Sequence, residues 1–245
     1  MTVPERSTAL RICRFDSDRL GVVDGARIRD VTPAVERLPP CRWPSPPGDA
    51  LIASLGALRP HIQQLLPGAP TVALDRARLQ SPVANPGKVI AVRSNYPGAS
   101  SSADDGPTLF LKASSSVAGP SASIELRLPG RRVDHEVELV AVLGLRKSLD
   151  GFTVLGPWLT TADEAAGVAD AAIELAVNGE LRQSGRTSQM TLGVGAIIAE
   201  ASRYFVLEPG DVVMTGTPPG VGPLAEGDEV YCAIEGLGTM RVTMR

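Results

Sequence analysis

Three acids at alternate positions, Asp134, Glu136 and Glu138, stand in the run Arg131–Gly144 just before it turns wholly apolar. Alternate side chains of an extended strand share a face, so these three point one way while Val133, His135, Val137 and Leu139 point the other. Carboxylates a few ångströms apart in a half-buried place repel, and they need a cation, a basic partner or a shared proton. A hard divalent metal, Mg²⁺ before others, meets that need through oxygen ligands. The competing reading is an edge strand whose acids face water or pair with Arg131, Arg132 or Lys112.

The elements that must hold this stretch are mostly short strands. Leu10–Phe15, Arg19–Val23 and Ala26–Val31 read as three strands, the last two joined by the tight turn that Asp24-Gly25 favours. After the Pro-rich connector Pro39–Pro47, apolar residues of Ala50–Leu66 recur at near-helical spacing, with Pro60 expected to break the helix in two. Lys88–Arg93, Thr108–Lys112 and Ile124–Leu128 are further strands, and Pro97–Pro107 reads as a loop or lid. A hairpin on Asn178-Gly179 and a helix over Met190–Tyr204, capped by Thr187-Ser188, come next. The helix stripe is Leu192, Ile197, Ile198 and Ala201. A strand ending at Thr215 and the pair Asp228–Ile234 and Gly238–Thr243 close the chain. The fold class this implies is α+β and strand-dominated. Residues 1–80 form a small N-terminal α/β module and 81–245 the main domain.

Composition narrows the class. With 43% hydrophobic residues the chain can bury a sizeable core, and a net charge of −3 gives no electrostatic case for nucleic acid or an acidic membrane. No apolar run approaches bilayer length, and Met1–Thr8 lacks an apolar signal region, so a cytoplasmic location is expected. Cys13, Cys41 and Cys232 have neither disulfide nor zinc spacing and are expected to be unreactive core residues. Trp43 and Trp158 read as packing aromatics, and Gly193-Val194-Gly195 lacks the strand-turn-helix context of a dinucleotide site.

Six blocks in fixed order resemble the fumarylacetoacetate hydrolase (FAH) family. They are Ser94-Asn95-Tyr96, Leu109–Pro120, Val133–Leu139, Leu155–Trp158, Val177–Glu180 and Leu207–Gly222. The resemblance implies a mixed β-roll main domain, a homodimer, and Mg²⁺ or Mn²⁺. It also implies action on a small 2-oxo or 1,3-dicarbonyl acid by C–C hydrolysis, decarboxylation or keto–enol isomerisation. A metal held by carboxylates can chelate two oxygens of such an acid and stabilise an enolate as a Lewis acid. By the same resemblance Glu136 and Glu138 match metal ligands, and Lys112 with the Ser114–Ser116 turn, Ser115 included, lies toward the substrate. Asn95 and Tyr96 match the mouth of the site. Thr215-Gly216-Thr217 matches a turn that holds a substrate carboxylate, and Arg93 joins these as a donor.

The chain departs from that pattern at three places. Family hydrolases carry a water-activating histidine after Asn-Tyr, where this chain has Pro97-Gly98-Ala99-Ser100. Its two histidines, His61 and His135, read as structural. Between Gly144 and Phe152 the family has a longer segment bearing a third metal carboxylate and core strand. Here Leu145–Asp150 spans the gap, with Asp150 a conceivable replacement ligand. Lys147 matches a substrate-facing lysine of that segment or is a solvated loop cation, and both readings stand. Two carboxylates with water still hold Mg²⁺, at reduced affinity. Enolisation and decarboxylation survive these losses better than hydrolysis, which needs a base for water. The alternatives are a metal-free cyclase or isomerase of a biosynthetic pathway using fixed donors in the same cavity, and a non-catalytic partner subunit.

Overall fold

The structure, a computed structural model, describes residues 10–41, 48–98, 106–126, 132–142 and 153–245. Lys147, Asp150, Arg131, Trp43 and most of the expected lid lie outside them. The chain opens with β1 (Arg11–Phe15), β2 (Arg19–Asp24) and β3 (Arg27–Asp30), then α1 (Ala50–Leu65), β4 (Thr71–Ala73) and β5 (Leu79–Gln80). These strands form one antiparallel sheet in the order β1-β2-β3-β4, with β5 on β1. Ile12, Leu20 and Val22 meet Leu58 and Ile62 of α1 on one face of it, while Cys13, Phe15 and Ile28 pack on the other.

Helix α1 runs unbroken through Pro60. A proline removes one hydrogen bond to the carbonyl four residues earlier, here Gly56, and both residues face solvent, so water takes over that carbonyl. The helix starts at Asp49, whose side chain accepts from the N–H groups of Leu51 (3.0 Å) and Ile52 (3.2 Å). Its other oxygen accepts from Ala84 and Asn85, tying the helix start to the segment that enters the main body.

The body begins with β6 (Val89–Arg93) and β7 (Thr108–Lys112), followed by β8 (Val117–Ala118), β9 (Ser123–Ile124), β10 (Asp134–His135) and β11 (Val140–Ala141). Next come β12 (Thr153–Val154), β13 (Leu159–Thr160), β14 (Ala172–Val177) and β15 (Glu180–Arg186). Helix α2 (Val194–Ala201), β16 (Val212–Met214), β17 (Gly222–Pro223), β18 (Glu229–Ile234) and β19 (Gly238–Met244) finish it. A four-stranded sheet has the order β11-β16-β6-β7, with β16 and β6 parallel. A five-stranded sheet has the order β15-β14-β18-β19-β9. Strand β13 leaves the body to pair with β1, so the first sheet is closed by a strand from far down the chain.

The architecture is the expected strand-dominated α+β, with differences in detail. The second helix is half the expected length. Gly193 sits in extended backbone as its N-cap and Gly195 follows, so the two glycines delay the start, and Ile197 and Ala201 alone of the expected stripe are buried. Thr187 and Ser188 do not cap it; they belong to a 3₁₀ turn in which the Thr187 hydroxyl donates to Val168 O (2.7 Å). Cys41 is exposed rather than in the core, while Cys13 is buried. The Asn178-Gly179 turn is as expected, with both residues at positive φ (52° and 81°).

Candidate active site

The acidic stretch alternates as its spacing demands: His135, Val137 and Leu139 are buried, and Glu136 and Glu138 face the other way. It is not a continuous ladder. Only Asp134–His135 and Val140–Ala141 pair as strands, with β17 and β16. Between them side chains do the bridging. The Thr215 hydroxyl donates to Leu139 O (2.9 Å), the Thr217 hydroxyl donates to Val137 O (2.8 Å), and Gly216 N–H donates to Glu138 Oε2 (2.6 Å). The donors expected to hold a substrate carboxylate are thus engaged within the protein. Gly216 adopts φ 93°, and a Cβ there would sit 2.8 Å from that of Asn95, so only glycine fits the turn.

Gln183, which the spacing of the sequence did not mark, holds the stretch from behind. It is fully buried, and its orientation is unambiguous. Its Nε2 faces Pro218 O (2.6 Å), which can only accept, and its Oε1 faces Val137 N–H (3.1 Å), which can only donate. The second N–H reaches the Thr217 hydroxyl (2.7 Å), and His135 Nδ1 lies 3.3 Å from Oε1, which sets that nitrogen as the protonated one. His135 is therefore turned away from the glutamates and spent on structure.

The three acids divide. Asp134 pairs with Arg132 (2.7 Å) at the surface, as the competing reading held for the stretch. Glu136 keeps an exposed edge, yet desolvation is the first cause holding its carboxyl above the usual range, with Asp134 adding to it and Lys112 and His135 opposing. Glu138 is pushed up to about 7, chiefly by burial and then by Glu136, against the Lys112 cation and the Gly216 N–H. Lys112, at the end of β7, thus acts on both carboxylates at once.

Tyr96 is buried, and its hydroxyl has no hydrogen-bond partner among the described residues. Burial first, and the charge of Glu138 second, push that hydroxyl up to about 12, so it stays protonated beside the pair. Asn95, expected at the mouth, is instead a buried staple. Its amide donates to Thr215 O (2.7 Å) and Leu192 O (2.9 Å) and accepts from Leu192 N–H (2.7 Å). Arg93 lies exposed at the end of β6, opposite Thr108. Ser115 is exposed in its 3₁₀ turn, whereas Ser116 is buried against Thr153 (3.0 Å).

Two neighbouring carboxylates that resist ionisation, with a protonated phenol beside them, suit a hard divalent cation. The cation would offset the cost of holding the buried pair ionised. Among the described residues no group of three acidic, histidine or cysteine side chains is placed to hold a metal ion. No described helix is long and apolar enough to cross a membrane.

Comparison with known proteins gives the family. A model of the fumarylacetoacetate (FAA) hydrolase C-terminal region matches residues 145–245. Over 96% of its length the chain is 40% identical to the maleylpyruvate hydrolase of Aquipseudomonas alcaligenes, covering 99% of that protein. This chain belongs to the fumarylacetoacetate hydrolase family. Another member, the mitochondrial oxaloacetate tautomerase of Rattus norvegicus, is 34% identical over 70% of each chain. A crystal structure of maleylpyruvate hydrolase from Sphingobium sp. SYK-6, in complex with manganese(II) and pyruvate, superposes with a TM-score of 0.81. It shares 33% identity and covers 96% of this chain and 98% of that one. The alignment with the A. alcaligenes enzyme spans 285 positions against 245 residues here, so at least 40 have no counterpart in this chain.

Proposed function

We propose that Glu136 and Glu138 hold Mg²⁺ or Mn²⁺ and that the protein interconverts keto and enol forms of, or decarboxylates, a small 2-oxo or 1,3-dicarbonyl acid. The supporting observation is the raised carboxyl pair beside the partnerless Tyr96 hydroxyl. When bound, the cation supplies Lewis-acid polarisation of an oxo-acid. The chain's own groups do the rest. Lys112 draws the anionic acid toward the pair and offsets the two carboxylates. Tyr96, held protonated, donates to the oxygen on which negative charge develops. Hydrolysis fits less well, because it needs a base for water. The chain's only histidines are His61 on α1 and His135, which faces Gln183.

Isothermal titration of chelator-stripped protein with Mg²⁺ and Mn²⁺ tests the site, beside the Glu136→Ala/Glu138→Ala double variant. Proton exchange at C3 of pyruvate in D₂O, followed by NMR, tests the chemistry. Binding and exchange that vanish together in the variant support the proposal; no binding at millimolar metal, with exchange no faster than in the variant, refutes it. A second reading rests on Glu138 titrating at about 7, which makes it a competent acid–base group without metal. Exchange that persists in a strong chelator selects that reading.

A further inference from the structure

Beside the carboxylate pair the body holds a partly open cavity of about 360 Å³. Glu136 and Glu138 form part of its wall, so it borders the site. The remainder of its described lining is mostly apolar, with Val142, Leu155, Trp158, Leu237 and Met240 among it. The wall is built closely. Gly238 has φ 120°, and a Cβ there would meet the Trp158 ring at 2.6 Å, so the indole lies directly on bare backbone. Trp158 Nε1 is buried without a partner among the described residues.

A small oxo-acid at the glutamates leaves this space unfilled. An apolar chamber with so few polar groups does not hold ordered water well, and a cavity of about 150 Å³ is already enough for a benzene ring. About 360 Å³ accommodates a ring together with the linker that joins it to an acid head. We propose that the acid handled by this protein carries a bulky apolar substituent, aryl or branched alkyl, which fills the cavity while its oxo-acid head lies at Glu136 and Glu138. The inference rests on the function proposed above and adds the substrate class: an amphipathic oxo-acid with one large hydrophobic arm.

Binding of pyruvate, 2-oxohexanoate, 2-oxooctanoate and 4-phenyl-2-oxobutanoate is measured by calorimetry on the Mn²⁺-loaded protein. Each added methylene is expected to tighten binding roughly fourfold, and the phenyl acid to bind between about ten- and a hundredfold tighter than pyruvate. Leu237→Trp, which narrows the cavity at a partly exposed turn, is expected to weaken the phenyl acid at least tenfold more than pyruvate. Pyruvate binding by that variant reports that it is folded. A flat series with pyruvate still bound overturns the inference and leaves the proposed function standing. Binding of the phenyl acid that persists in the Glu136→Ala/Glu138→Ala variant also overturns it, because head and arm then do not belong to one ligand. If no acid binds, the proposed function falls and the inference with it.

Discussion

Replacing Glu138 by glutamine separates the cost of this site from its use. The amide keeps the shape and an oxygen for the Gly216 N–H, which now lies 2.6 Å from Glu138 Oε2, but it carries no charge. In the metal-free protein the Glu138 carboxyl is raised from 4.5 to about 7, so it holds its proton more tightly folded than unfolded. Between those two values the unfolded chain binds fewer protons than the folded one, and stability falls as pH rises. Below 4.5 the penalty is absent; above about 7 it is complete, on the order of 3 kcal/mol. Glu138→Gln escapes it. At pH 8 the chelator-stripped variant should melt roughly 6–12 °C above the wild type, taking about 2–4 °C per kcal/mol for a chain of this size. At pH 4.5 the two should melt together. Scanning calorimetry at both pH values makes the comparison. Added Mn²⁺ should then raise the wild type with the logarithm of its concentration over Kd and leave the variant unmoved. A difference in melting temperature that is the same at both pH values would refute the reasoning, because burial of an ionised carboxylate would not be its source.

Tyr96→Phe removes a buried hydroxyl that has no partner, so stability should hold or rise by up to about 1 kcal/mol while turnover drops about a hundredfold; denaturant titration and a rate assay read the two apart. Gln183→Leu strands Val137 N–H, Pro218 O and His135 together, and urea unfolding should show a loss of at least about 3 kcal/mol. Asp49→Ala deprives four backbone N–H groups of their acceptor at the start of α1, a loss of about 2 kcal/mol on the same assay. Against a thiol reagent at neutral pH, exposed Cys41 should react first. Cys13 and Cys232, whose thiols burial pushes up to about 12, should stay silent until the protein unfolds.

Much of this architecture is legible from short-range chemistry. Asn178-Gly179 selects its own turn, and the two-residue alternation through 135–139 sorts His135 from the glutamates without any knowledge of the sheet. What the sequence hides depends on distant partners. The staples made by Asn95 reach residues 97 and 120 positions away, and Gln183 bridges segments 35 and 46 positions off, so no local pattern marks either. The Thr215–Thr217 turn looks like free donors because its acceptors, Leu139 O, Val137 O and Glu138, belong to another segment. Pro60 misleads in the opposite way. The rule that proline stops a helix assumes an unsolvated carbonyl, and that of Gly56 faces water.

The amide of Gln183 has no valence left over: two N–H groups and two lone pairs meet the hairpin's neighbours on the acidic stretch and on the turn after Thr217. Such a node cannot release one segment and keep the other. Exchange of the Val137 amide with solvent should therefore proceed at the rate of the Ala172–Val177/Glu180–Arg186 hairpin, as one cooperative opening unit. The face that carries Glu136 and Glu138 then inherits the persistence of a hairpin whose strands lie outside the site, and it comes apart only when that hairpin does.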